Sequence, residues 1–323
     1  MAIANTDIKF FKSTSVNNTT TNGGKISANR ITTNTLNNLF PNVTSAERTA
    51  GVTRYRKVFM KNENSSDLTL ETTKLYIGML SSGEDYFRMV EGTDSDIQSD
   101  ADDYTNWFGS GTLYNNLLSG ESSMDVIYDA ADGVFSGESI LLRLDDGVNN
   151  AEVQLVGSPS WLGNIATLSF SGALEADFDA SDTVVSTVVE LGEIKAESSS
   201  WLETSVAGTY DESTYPLVLF NIGTISEDWT LTFTSSTAFS VTGAVTGSIG
   251  SGTSGTNFMP ANGTSYYFKI DKSGWGGTWA TGNTITFTTK HAAKPLWIKE
   301  VVPAGCSALS NNSVRLNWEG ESA

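Results

Sequence analysis

The side chains able to do chemistry are few and lie far apart in the chain. Among 323 residues there is one cysteine, Cys306, and one histidine, His291. A single thiol rules out an intramolecular disulfide and a cysteine metal cluster. Cys306 stands in VPAGCSA with nothing placed to activate it, so a small buried or half-buried thiol is expected. His291, in TTKHAAKP at a strand end and turn, has no partner constellation and is expected on the surface. The stretch EGTDSDIQSDADDYTNW places Asp94, Asp96, Asp100 and Asp102 at short intervals. Carboxylates alternating along a loop are the oxygen ligands Ca²⁺ takes. The glycine and terminal glutamate of an EF-hand are missing, so a solvated acidic loop is the rival reading and no metal or cofactor is assigned. Asp145 and Asp146 are adjacent, whereas glycosidase carboxylates must face each other across a cleft. Neighbours on a strand point to opposite faces, which gives this pair to the Asp-Gly turn of DDGVNN. Trp275 and Trp279 in GWGGTW, with Tyr266 and Tyr267, form either a stacking platform for host-surface glycans, which would make the chain a host-attachment module, or anchors of a β core. No catalytic residue is assigned, and the chain reads as a non-enzyme.

The elements that must hold these residues read as all-β. Trp229, Leu231 and Phe233 alternate with threonines, and Ile285 and Phe287 repeat the device in TITFTT. That is the period of a strand with one buried and one wet face, and neither run keeps the spacing of an amphipathic helix. RYRKVFMKN puts Tyr55, Lys57, Phe59 and Lys61 on one side of a strand and Arg54, Arg56, Val58 and Met60 on the other. Short strands DVIYDA, SILLRL, AEVQLV, ATLSF and TVVSTVVEL follow one another between Gly, Asp, Asn and Ser turns, the spacing of a small β-barrel or sandwich. The length exceeds that of most single cores and predicts two or three domains. Hydrophobic content of 39% can fill them. No apolar run approaches the roughly 20 residues of a membrane span, and the N-terminus shows no signal-peptide core, so a soluble, unexported chain without a membrane partner is expected.

The net charge of −18 is unevenly spread. Residues 1–61 carry nine Lys/Arg against Asp7 and Glu47, a net of +7; residues 84–190 carry 21 Asp/Glu against Arg88 and Arg143, a net of −19. Opposite ends of this kind suit docking between subunits. Dispersed cations and an acidic body argue against a nucleic-acid partner. Residues 13–38 are rich in Ser, Thr, Asn and Gly and bury too little to hold themselves up, so residues 1–54 are expected to be an extended docking arm. Its contact residues are expected to be Arg30, Leu39, Phe40 and Arg48, continued by Arg54 and Arg56.

Several phrases occur in one order: NGGKIS, NNLFP, RYRKVFMKN, AGTYDESTYPL, ISEDWTLTFTSSTAFSV, GWGGTWATGNTITFTT and PLWIKEVVPAG. In that order the chain resembles a family of virion structural proteins of long-tailed bacteriophages and prophages. The resemblance implies a structural role in the virion, at the neck as a collar around the head-to-tail connector, with capsid decoration or a tail-associated position as alternatives. It implies assembly in the bacterial host cytoplasm, other copies in a ring as partners, and contacts with connector, portal or tail proteins. It also implies a discontinuous immunoglobulin-like β-sandwich from residues 55–112 and 194–302, a second β domain inserted at 113–193, and a C-terminal tail or strand at 303–323.

Overall fold

The computed structural model describes residues 2–128 and 140–323. The end of DVIYDA and the first residue of SILLRL fall outside them. The chain is nearly all β, with several sheets and one closed barrel.

Five strands open the chain: β1 (Ile8–Ser15), β2 (Gly23–Arg30), β3 (Val52–Asn62), β4 (Leu70–Met79) and β5 (Tyr86–Glu91). The barrel follows as β6 (Ser110–Leu113), β7 (Ser123–Ile127), β8 (Leu141–Asp145), β9 (Asn150–Leu155), β10 (Ser160–Leu162), β11 (Ile165–Ser171) and β12 (Val184–Thr187). Its ring runs β11-β7-β6-β12-β8-β9 and closes where Phe170 of β11 meets Leu155 of β9. Alternation along β11 turns Ala166, Leu168 and Phe170 inward against Val126, Leu142, Leu144, Val153 and Val185. The second β domain expected at 113–193 therefore has its strands between Ser110 and Thr187.

After β13 (Val189–Ile194) comes a further unit of β14 (Glu197–Thr204), β15 (Ala207–Tyr210), β16 (Glu227–Phe233), β17 (Ala238–Gly243), β18 (Gly247–Thr253), β19 (Ala261–Asn262), β20 (Ser265–Tyr266), β21 (Trp275–Thr278) and β22 (Thr284–Lys290). Its main sheet has the order β14-β22-β16-β17-β18. The chain then returns through β23 (Ala293–Val302) and β24 (Arg315–Ser322). These complete a sandwich in which the sheet β2-β1-β3-β23-β5 faces β13-β4-β24 over Val58, Met60, Leu75, Ile77, Leu296 and Ile298. The residues after 302 end as a strand paired with β4.

Two expectations change here. The stretch foreseen as one sandwich holds two separate cores, one around Met60 and Leu296 and one around Trp229 and Phe268. The arm is not an arm: β1 pairs with β3 from Ile8↔Asn62 to Lys12↔Val58, and β2 pairs with β1. Its polar composition hides this, because Ile8 and Phe11 are the only apolar side chains of β1 that are deeply buried, beside Ser13, and the sheet supplies the missing backbone partners.

The units are locked together by polar side chains. Arg88 of β5 lies 4.4 Å from the ring centres of both Tyr86 and Tyr128, the latter in the barrel core. A Cβ at Gly109 would come within 2.3 Å of the Tyr128 hydroxyl, which explains glycine there. Lys61 Nζ donates to Ile222 O at 2.8 Å and Asn221 Nδ2 to Leu68 O at 2.9 Å, tying the C-terminal unit to the sandwich.

Candidate functional site

The most concentrated chemistry lies on the outer face of the five-stranded sheet. β3 is flanked by β1 and β23, so it has no free edge, and both of its faces are covered. Register places Lys57 directly opposite Trp297 of β23. Asp96 reaches the pair from the loop after β5, and its Oδ1 lies 2.5 Å from Lys57 Nζ. The Lys57 and Asp96 side chains are 0% and 5% exposed. Asp96 Oδ2 accepts from Trp297 Nε1 and from the Tyr104 hydroxyl, each at 2.7 Å. Lys57 Nζ also donates to Gly24 O at 2.7 Å and Asp96 O at 3.1 Å, and lies 5.0 Å from the Phe59 ring centre.

Glycines at the start of β2 and in the loop after β5 make room for this cluster. Gly23 and Gly24 have φ of +112° and +82°, and a Cβ at Gly23 would stand 2.7 Å from Trp297 and 2.8 Å from Asp96 O. Such backbone suits only glycine. A Cβ at Gly92 would come within 2.9 Å of Asp96 Oδ2. Burial lowers the Lys57 ammonium below its usual range against the pull of Asp96. Burial pushes the Asp96 carboxyl up, but Lys57, Tyr104 and Trp297 together outweigh it and hold it low. Burial and the contact with Asp96 raise the Tyr104 phenol, which keeps its proton and stays a donor.

The four aspartates do not converge. Asp94 accepts from Ser226 Oγ at 2.7 Å and sits 3.4 Å from His291 Nε2. Asp100 accepts from Ile97 N at 2.9 Å, capping the short helix Gln98–Ala101. Asp102 acts on the Tyr55 hydroxyl, which burial and this neighbour push up to about 12. No group of three or more His, Cys, Asp or Glu among the described residues is arranged to hold a metal.

His291 is buried rather than superficial, edge-on to Phe59 at 5.9 Å, because its segment turns under the C-terminal unit instead of ending on the surface. Burial lowers its imidazole pKa. Cys306 is half-buried and free. Asp146 belongs to the turn as expected, its carboxylate accepting from Val148 N at 2.8 Å.

The docking set is largely internal. Arg54 donates from Nε to Glu300 Oε2 at 2.7 Å, and both are buried. Arg56 is buried and donates to Leu39 O at 3.1 Å and Asn17 O at 2.9 Å. Phe40 lies beneath both guanidiniums, at 5.7 and 5.3 Å, and edge-on to Phe87 at 5.8 Å. NNLFP thus anchors on its own sandwich, since the cations meant for a neighbour face inward on β3. Arg48 donates to Val43 O at 3.1 Å. Arg30 remains exposed and pairs with Glu63.

Trp275 and Trp279 border an open depression of about 530 Å³ with Thr237, Thr253, Ser254 and Lys272. Trp279 is 4% exposed and stacks on Phe233 at 4.3 Å and 9°, while Trp275 packs edge-on to Tyr210 at 4.8 Å. The indoles hold the core and only rim the depression. Tyr266 and Tyr267 pack elsewhere, on Phe220 and Trp229.

Periodicity reasoning separated Lys57 from Asp96 and missed the role of Tyr104 and Trp297. The available signal was a lysine inside the apolar run YRKVFM, together with the paired glycines of NGGKIS. No protein family, characterised protein or solved structure matches the chain. No helix among the described residues is long and apolar enough to cross a membrane.

Proposed function

We propose that the chain is a non-enzymatic structural component of a tailed-phage virion, a neck or collar subunit that joins its neighbours in a ring. The observation that carries this reading is a charge mismatch left over after internal pairing. On the β1–β2 hairpin, Arg30 is paired with Glu63 and Lys9 acts on Asp7. Lys12 and Lys25 have no carboxylate within ion-pair distance among the described residues. On the barrel, residues 110–187 contain twelve Asp/Glu against Arg143, and Arg143 is itself paired with Glu152 and Glu319. Glu121, Glu175, Asp177, Asp179 and Asp182 are exposed on two loops joined by the Leu117–Phe178 bridge. Two different, oppositely charged patches on one chain suit a heterologous contact, which gives a ring where the rotation between copies closes.

Contact residues therefore move from the expected arm to the hairpin face and the acidic end of the barrel. Capsid decoration and a tail position would use the same patches. The glycan-attachment reading has less support, because the indole faces that would stack on a sugar contact Phe233 and Tyr210.

A charge exchange tests the proposal. Lys12→Glu with Lys25→Glu should prevent incorporation into particles, as should Glu175→Lys with Asp177→Lys and Asp182→Lys. Mixing the two altered chains should restore partial assembly. Normal incorporation of either altered chain, measured by mass spectrometry of purified particles, would contradict it.

A further inference from the structure

The Lys57–Asp96 pair has features that a simple buried ion pair does not require. Nζ lies 2.5 Å from Oδ1, and Oδ1 has no other donor among the described residues. Both groups are shut away from water that could compete as a nucleophile or reverse an acyl transfer. The other carboxylate oxygen, Oδ2, faces two fixed donors, Trp297 Nε1 and the Tyr104 hydroxyl, each at 2.7 Å. Two donors aimed at one carboxyl oxygen are what a tetrahedral intermediate needs for its developing negative charge. An amine held 2.5 Å from a carboxyl oxygen in a dry site also has the effective concentration that makes condensation practicable.

We infer that Lys57 and Asp96 join autocatalytically in an intramolecular isopeptide bond, with Nζ as nucleophile and Cγ as the carbon attacked. One ammonium proton passes from Nζ to Oδ1 along their contact, giving amine and carboxylic acid. The Nζ lone pair then forms the bond to Cγ while the π electrons move onto Oδ2, where Tyr104 and Trp297 stabilise the charge. A second proton leaves nitrogen for Oδ1, the Cγ–Oδ1 bond breaks, and that oxygen departs as water as the Cγ–Oδ2 double bond re-forms. The third proton stays on the amide nitrogen, where Gly24 O at 2.7 Å is ready to accept it. No oxidant, metal or co-reactant is needed. Burial lowers the Lys57 ammonium and so favours the first proton transfer, against the donors that hold the Asp96 carboxyl low.

The bond would tie β3 to the loop after β5 and clamp Trp297 between them. It is independent of the assembly reading, because the chemistry lies inside one chain. Tyr104 and Trp297 act here as donors to the reacting oxygen, and Gly23, Gly24 and Gly92 keep the space around it.

Intact-mass spectrometry of the purified, denatured full chain, with peptide mapping, decides the matter. The expected result is a mass one water below that of the sequence and a branched peptide joining residue 57 to residue 96. Lys57→Met should carry its full mass. Asp96→Ala, which has no carboxyl carbon to attack, should carry its full mass as well. A folded wild-type chain at full mass, with Lys57 free to react with an amine label after denaturation, would overturn the inference. So would a water loss that maps to the Asp146–Gly147 step instead.

Discussion

The sandwich and the C-terminal unit solve the same packing problem with different chemistry. The core around Trp229 is aromatic: Trp229, Phe233, Phe239, Phe268 and Phe287 meet edge-on or tilted, and Trp279 stacks on Phe233. Among the charged side chains of β16 only Glu227 is buried, and it accepts from Val245 N, Thr246 N and the Thr246 hydroxyl. The sandwich instead buries Arg54, Arg56, Lys57, Arg88, Asp96 and Glu300. An aromatic core tolerates loss of one member as a cavity, whereas a charged one leaves an unpaired partner in a poor solvent. The difference separates a unit whose geometry follows from shape from one whose geometry is fixed by particular donors and acceptors.

The largest expected effect comes from removing residues 1–54. If they were a docking arm, the remainder would stay folded. Because β1 and β2 are members of the sheet and Phe40 packs on the sandwich, the truncated chain should lose the sandwich and aggregate, as read by circular dichroism and solubility. Single substitutions then compare the two cores directly. Trp229→Ala should cost about 3–5 kcal/mol through its cavity, and Arg54→Met a similar ~3–5 kcal/mol by leaving Glu300 buried and unpaired. The second loss should shrink when Glu300→Gln is added, while no second substitution of that kind rescues Trp229→Ala. Denaturant unfolding of these three variants against the unaltered chain measures both.

A smaller effect concerns pH. His291 has its folded pKa below the ordinary 6.5, so the unfolded chain binds the extra proton first. Stability should be at full value above that pH and fall as pH drops through and below it. His291→Gln should flatten the slope in this window, leaving the carboxylate-dependent loss at lower pH. The smallest stability effect belongs to Lys12→Glu with Lys25→Glu, within about 0.5 kcal/mol, as for surface changes generally. Its consequence should appear in assembly.

The same contrast governs what could be read from the sequence. The C-terminal sheet was legible because threonine alternates with large apolar residues, and β16 and β22 run where that alternation lies. The barrel was legible from its turn residues. The strand RYRKVFMKN and a sandwich were legible too, but not what β3 packs against, because an interior strand with both faces covered has no wet face and its buried arginines read as a docking surface. Burial of His291 also escaped, since it depends on Phe59 and Asp94, which are distant in sequence. Lys57 and Asp96 were both visible as residues, but only the register that sets Lys57 against Trp297 brings them together.

The central claim is that subunits meet through the basic hairpin of one copy and the acidic end of the barrel of the next. A residue-level reconstruction of particles carrying the chain tests it most directly. The account predicts a ring in which Lys12 and Lys25 of each copy lie against Glu175, Asp177 or Asp182 of its neighbour. A ring whose copies leave both patches in solvent, or particles that lack the chain altogether, would contradict it.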